Sequence, residues 1–137
     1  GKTEDLELLI SVLKTNSIKN IKLSVSAPFH CNLMNGATKI MTEELNKLNF
    51  VNSKNKLISN VTADEISNID DLKNLLIKQI ENRVRWRESI IKMIKNDVNH
   101  FIEIGPGKVL SGLIKRINRD VLVNTINNEE DIKNLKI

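Results

Sequence analysis

The run Phe101–Ile117, FIEIGPGKVLSGLIKRI, decides how this chain is read. An apolar strand pattern, His100 to Ile104, meets Gly105-Pro106-Gly107. Beyond the turn, Val109, Leu110, Leu113, Ile114 and Ile117 recur at helical spacing. Downstream, Val121 to Thr125 reads as a second strand. Two strands joined through a helix form a crossover, and crossovers of this kind make parallel sheets. A glycine turn between strand and helix has the local geometry of a phosphate cradle. Both phosphate-binding spacings fail, however. Walker A needs glycine where Ile102 stands, and the dinucleotide fingerprint needs it where Leu110 stands. The turn therefore reads as a tight junction packed closely against the sheet.

Working outward, the same alternation continues. Thr3, Glu4 and Asp5 open a helix whose apolar face is Leu6, Leu9, Ile10 and Leu13. Ile21 to Ser26 alternates as a strand, which Pro28 should end. Leu33, Ala37, Ile40, Met41, Leu45 and Leu48 predict a second helix, stopped by the Asn-rich stretch Asn52–Asn55. Leu57 to Val61 is a short strand candidate. Asn68, Asp70 and Asp71 introduce a third helix with Leu72, Leu75, Leu76 and Ile80 inward and Gln79 among them, a polar amide that needs a partner. Trp86 to Asn96 is a fourth helix, and a short last one starts at Asn128. The fold class is α/β, with a mostly parallel sheet flanked by helices on both faces.

Composition removes several functions. At 137 residues the chain fits one domain. Its net charge of +4 is scattered among acids, and aromatics make up only 3%, so no nucleic-acid partner is expected. The single cysteine, Cys31, cannot form an intramolecular disulfide, which together with the absence of a leader pattern predicts a cytoplasmic location. No apolar run approaches the roughly 18 residues that span a bilayer, so no membrane partner is expected either. His30 and Cys31 are neighbours that point apart, and His100 has no companions at ligand spacing, so no metal is expected. Glu103 and the pair Glu129-Glu130 lack a second carboxylate for acid/base work.

One histidine stands out. In SVSAPFHCNLM, Ser24–Met34, His30 follows the end of a strand, and the carboxyl ends of strands are where ligands collect in parallel α/β sheets.

Taken together, SVSAPFHCNLM, LISNVTA, LIKQIENRVRW and FIEIGPGKVLSGLIKRI resemble the C-terminal part of the malonyl-CoA:acyl carrier protein transacylases of bacterial fatty-acid synthesis. The resemblance covers essentially the whole chain, in order. It implies that residues 24–137 are the C-terminal part of the large α/β-hydrolase-like subdomain, an incomplete acyltransferase core. Residues 1–23 would be the last helix and strand of a small ferredoxin-like subdomain. It also implies a serine acyl-enzyme mechanism with malonyl-CoA as substrate, no cofactor, and acyl carrier protein as acceptor. Carried over residue by residue, His30 is the catalytic base. Gln79 matches a glutamine whose backbone carbonyl holds the other imidazole nitrogen, although an ordinary buried hydrogen bond would also account for it. Phe29 resembles the variants that take malonyl over methylmalonyl groups, and a packing role serves it equally well.

Departures exist: Arg83 replaces a frequent proline before Val84-Arg85-Trp86, and Cys31 replaces a frequent serine. More consequential is what no stretch supplies. None of Ser11, Ser17, Ser24, Ser26, Ser53, Ser59, Ser67, Ser89 and Ser111 lies in a Gly-x-Ser-x-Gly elbow. The chain opens without methionine, and the expectation is a cut piece, inactive alone, whose partner is the N-terminal half of the same enzyme. The alternative is an inactive module that binds the acidic carrier protein through Lys108, Lys115 and Arg116.

Overall fold

The computed structural model describes residues 2–51 and 53–135; Gly1, Lys136, Ile137 and Asn52 of the Asn-rich break lie outside the described residues. In chain order these form α1 (Thr3–Thr15), a 3-10 turn (Asn32–Met34), α2 (Asn35–Lys47), α3 (Ile69–Lys78), α4 (Trp86–Lys95), β1 (His100–Ile104), α5 (Val109–Ile117), β2 (Leu122–Ile126) and α6 (Glu129–Asn134). The two strands are parallel, in the register Phe101 to Val123 and Glu103 to Thr125, and α5 is the crossover.

Local chemistry explains the helix starts. Asn68 accepts the backbone N–H of Asp71 at 2.8 Å. Asn128 caps α6 through Glu130 and Asp131, while the Asp131 carboxylate reaches back to the Asn128 N–H, a reciprocal capping box. The start of α5 is closed from another element: the Glu103 carboxylate on β1 accepts the N–H of Ser111 at 2.7 Å and of Leu110 at 3.1 Å. At its end, the Lys115 ammonium donates to the carbonyls of Arg119 and Val121, which ties the turn into β2.

Packing follows from strand parity. Phe101 and Val123 point to the α4/α5 side of the sheet and join Ile90, Ile114 and Val121 in the core, with Trp86, Met93, Ile94, Val98 and Ile117 around it. Ile90 is fully buried, and burial of such a side chain contributes about 1.5–3 kcal/mol. The opposite face is largely uncovered, and Ile104 there is 79% exposed. On that side a His100–Asn124 hydrogen bond of 2.7 Å joins the strands.

Several expectations need correction. Ile21–Ser26 is not a strand, and Leu57–Val61 contributes only an isolated antiparallel bridge, Ile58 with Glu65. A strand needs a neighbour to complete its hydrogen bonds; among the described residues Ile21–Ser26 has no ladder partner, and Leu57–Val61 pairs only at that one bridge. The first instead lies back on α1, with the Ile18 N–H on the Leu13 carbonyl and Lys22 paired with Glu7. Among the described residues α4 and α5 pack on one face of the sheet, while Ile102, Ile104 and Leu122 on the other are exposed. Finally, no atom would meet a Cβ within 4 Å at Gly105 or Gly107. Their φ angles of 138° and 96° require glycine there; close packing does not.

Candidate active site

Two chain segments far apart in sequence meet at His30. The last carbonyls of a helix have no intrahelical donor, and those of α3 face outward from its carboxyl end. Gln79 caps this helix, and its carbonyl oxygen lies 2.9 Å from His30 Nδ1; that of Asn82 lies 3.1 Å away. A third carbonyl, of Ile80, accepts the His30 backbone N–H at 3.1 Å. Carbonyls only accept, so Nδ1 carries the hydrogen and donates it to the pair. In the neutral ring Nε2 is then a lone-pair acceptor. The ring satisfies the same two carbonyls whether it holds one proton or two.

The backbone at His30 is in the left-handed region, with φ 63°. For a residue with a Cβ this costs of order 1–3 kcal/mol and persists where the surroundings enforce it. Here they do: the Phe29 N–H closes a tight turn on the Ala27 carbonyl at 2.9 Å, and Pro28 fixes the approach. His30 is exposed, as is Phe29, 54% accessible, and their ring centroids lie 6.5 Å apart.

Each sequence-predicted residue can now be placed. His30 and Gln79 come together, through the main chain of the glutamine. The Gln79 side chain has a separate partner, its Oε1 accepting from Asn60 Nδ2 at 3.2 Å in an exposed hydrogen bond. Phe29 flanks the histidine. The Cys31 thiol turns away to the Pro28 carbonyl at 3.2 Å. No hydroxyl or thiol is hydrogen-bonded to the ring among the described residues. Lys115 is committed to backbone carbonyls and is not a free cation, whereas Lys108 and Arg116 are exposed. Asn82 escaped the sequence reading. The signal was its position just past the end of a helix, where unpaired carbonyls gather.

The Gly-Pro-Gly junction holds no open phosphate cradle, because Glu103 already occupies the first N–H groups of α5. The Ser111 hydroxyl beside this carboxyl and the backbone N–H groups of Ser111 and Leu110 hold it below its usual range, against partial burial.

No family model matches the chain. The fold is part of an acyltransferase-type α/β domain, as solved structures show. An acyl-carrier-protein S-malonyltransferase from Bartonella henselae superposes with a TM-score of 0.86 and 38% identity, over 98% of this chain and 43% of that one. A type II PKS acyl-carrier protein in complex with its malonyl-transacylase contains a further match, with a TM-score of 0.84 and 30% identity over 97% of this chain and 43% of that one. In sequence the chain matches malonyl CoA-acyl carrier protein transacylase: it is 41% identical to that of Bacillus subtilis over 134 residues, 97% of this chain and 42% of the relative. It thus spans about two fifths of the curated relative. Among the described residues, no helix is long and apolar enough to cross a membrane.

Proposed function

We propose that these residues are the C-terminal portion of a cytoplasmic malonyl-CoA:acyl carrier protein transacylase and supply its general base, His30. The observation that carries this reading is the pair of carbonyls, from Gln79 and Asn82, that directs the ring hydrogen to Nδ1 and leaves Nε2 as the lone-pair acceptor. A serine contributed by further chain attacks the malonyl thioester carbon while Nε2 takes its proton. The tetrahedral intermediate then breaks its C–S bond, and the imidazolium returns the proton to the departing CoA sulfur. In the second half the carrier's pantetheine thiol gives its proton to Nε2, attacks the acyl-serine, and the serine oxygen leaves with that proton.

Backbone carbonyls replace the carboxylate of a serine protease triad here. They orient the imidazole without adding a charge, and they sit at the negative end of a helix. The uncovered sheet face around Ile104 and the uncovered apolar stripe of α1, with Leu9 and Val12, support a longer protein in which further chain covers each. The inactive-module alternative is the weaker reading, since one of its three cations, Lys115, is tied up within the fold.

The test is covalent labelling. Incubated with labelled malonyl-CoA, this chain alone forms no acyl adduct; joined to an N-terminal half bearing a Gly-His-Ser-x-Gly elbow, it supports one malonyl group per enzyme. A stoichiometric adduct on the isolated chain would overturn the proposal.

A further inference from the structure

The first turn of α4, the residues before it and α5 bound a cleft of about 460 Å³, within the size range of small-molecule sites. Arg83, Arg87 and Arg116 line it, against a single acid, Glu88. Glu88 is already engaged: Arg83 Nη2 donates to it at 2.9 Å and Arg85 Nε is 3.6 Å away. Arg87 and Arg116 have no carboxylate within ion-pair distance among the described residues. The remaining wall is apolar, with Trp86 and Leu113, and the Trp86 indole N–H is buried without an acceptor. A buried indole N–H usually finds a partner.

An ordinary solvated helix face spreads its charges. Here three arginines line one concavity, beside a flat ring and an orphan donor. Guanidinium forks match phosphate oxygens, and an indole packs against a planar or aliphatic organic body. The chemistry is that of a phosphate attached to an organic group.

Its place in the chain is equally specific. Arg83 follows Asn82, whose carbonyl holds the His30 ring. The five backbone steps from Asn82 to Arg87 span at most about 18 Å even if fully extended. The backbone beside the cleft therefore lies within the length of an extended pantetheine arm from His30, near enough for a thioester there to reach it with its phosphate end.

We propose that this cleft grips the phosphate groups of the phosphopantetheine-bearing thioester, through Arg87 and Arg116, while the acyl carbon sits at His30. The class of ligand rests on the cleft itself; its identity as a phosphopantetheine thioester rests on the transacylase reading.

The experiment uses the full-length protein that contains these residues. Binding of CoA, dephospho-CoA, 4′-phosphopantetheine and sodium phosphate is measured by calorimetry for the wild type, R87Q, R116Q and the double variant. Malonyl transfer is followed from malonyl-CoA and from malonyl-pantetheine, which lacks phosphate. The double variant should bind CoA at least about tenfold more weakly, the scale of one lost pair of charge-assisted hydrogen bonds. Its KM for malonyl-CoA should rise in step with little change in kcat, while malonyl-pantetheine is used as before, a contrast that misfolding cannot produce. Arg87→Lys should recover part of the loss, since charge persists without the fork. Wild-type binding of 4′-phosphopantetheine close to that of CoA assigns the arm's own phosphate; a loss confined to CoA, and absent with dephospho-CoA, assigns its ribose phosphate. Equal losses on both malonyl substrates, no loss on either, or inorganic phosphate binding as tightly as CoA would each overturn the proposal. Arginine-dependent CoA binding in a protein that transfers no malonyl group would retain the site and sink the transacylase reading; transfer with unaltered KM would do the reverse.

Discussion

The Nδ1 atom of His30 lies 2.9 Å from the carbonyl oxygen of Gln79, across a separation of 49 residues. The contact joins a strained turn to the carboxyl end of a helix, and it uses a main-chain atom that every residue possesses. Side-chain identity at position 79 should therefore matter far less than that at position 30.

In the enzyme reassembled with its N-terminal half, His30→Ala should lower the rate of malonyl transfer by roughly 10²–10⁴-fold, the scale of a lost general base. Gln79→Ala should cost less than about tenfold, through the lost Asn60 contact alone, a neutral hydrogen bond of about 0.5–1.5 kcal/mol. Single-turnover acylation rates separate the two. Equal losses would mean that the glutamine side chain, not its carbonyl, does the positioning.

Phe29, beside the proposed base, should narrow the acyl site. Phe29→Ser should raise the ratio of methylmalonyl to malonyl transfer by about 10–200-fold, the range available to one methyl group in an apolar pocket. Competition between the two CoA thioesters reads the ratio directly. An unchanged ratio would leave Phe29 a packing residue only.

Glu103→Gln should destabilise the fold near neutral pH, because the charged cap on α5 becomes neutral. The wild-type carboxyl is held below the usual carboxylate range in the folded chain. Its contribution is thus fully present above the unfolded-state value and is lost as pH falls through the lower folded-state value. Urea midpoints of the two proteins should differ at pH 7 and converge as pH falls below about 4. A difference independent of pH would show that the charge is not what caps the helix.

Core and uncovered face should respond oppositely to truncation. Ile90→Ala should cost about 2–5 kcal/mol, enough to unfold a marginal chain. In the isolated chain Ile104→Ala should stay within about 0.5 kcal/mol, as at any exposed site. In the reassembled enzyme it should cost markedly more. Denaturant titration of both forms makes the comparison, and an unaltered Ile104→Ala cost on reassembly would show that nothing covers this face.

Local signals were strong where residues act on their nearest neighbours. Asn68 and Asn128 cap the helices they were expected to begin, and β1 and α5 have the bounds that Phe101–Ile117 suggested. The same logic failed at Ile21–Ser26 and Leu57–Val61, because alternation marks a chain ready to pair and says nothing of whether a partner is present. His30 was visible from its setting and from a family pattern. The second carbonyl, from Asn82, was not, since any residue can offer one.

By itself, then, the sequence determined the helices, the crossover between two parallel strands and the position of the histidine, all consequences of short-range periodicity, capping and turn chemistry. Only the tertiary structure decided which carbonyls orient the imidazole, that Glu103 closes the glycine turn against an anion, that Lys115 is spent on backbone, and that three arginines share one cleft. Each of these depends on where distant segments come to rest: the cleft, Glu103 and Lys115 on the packing around Ile90 and Phe101, the imidazole on the meeting of its turn with the end of α3.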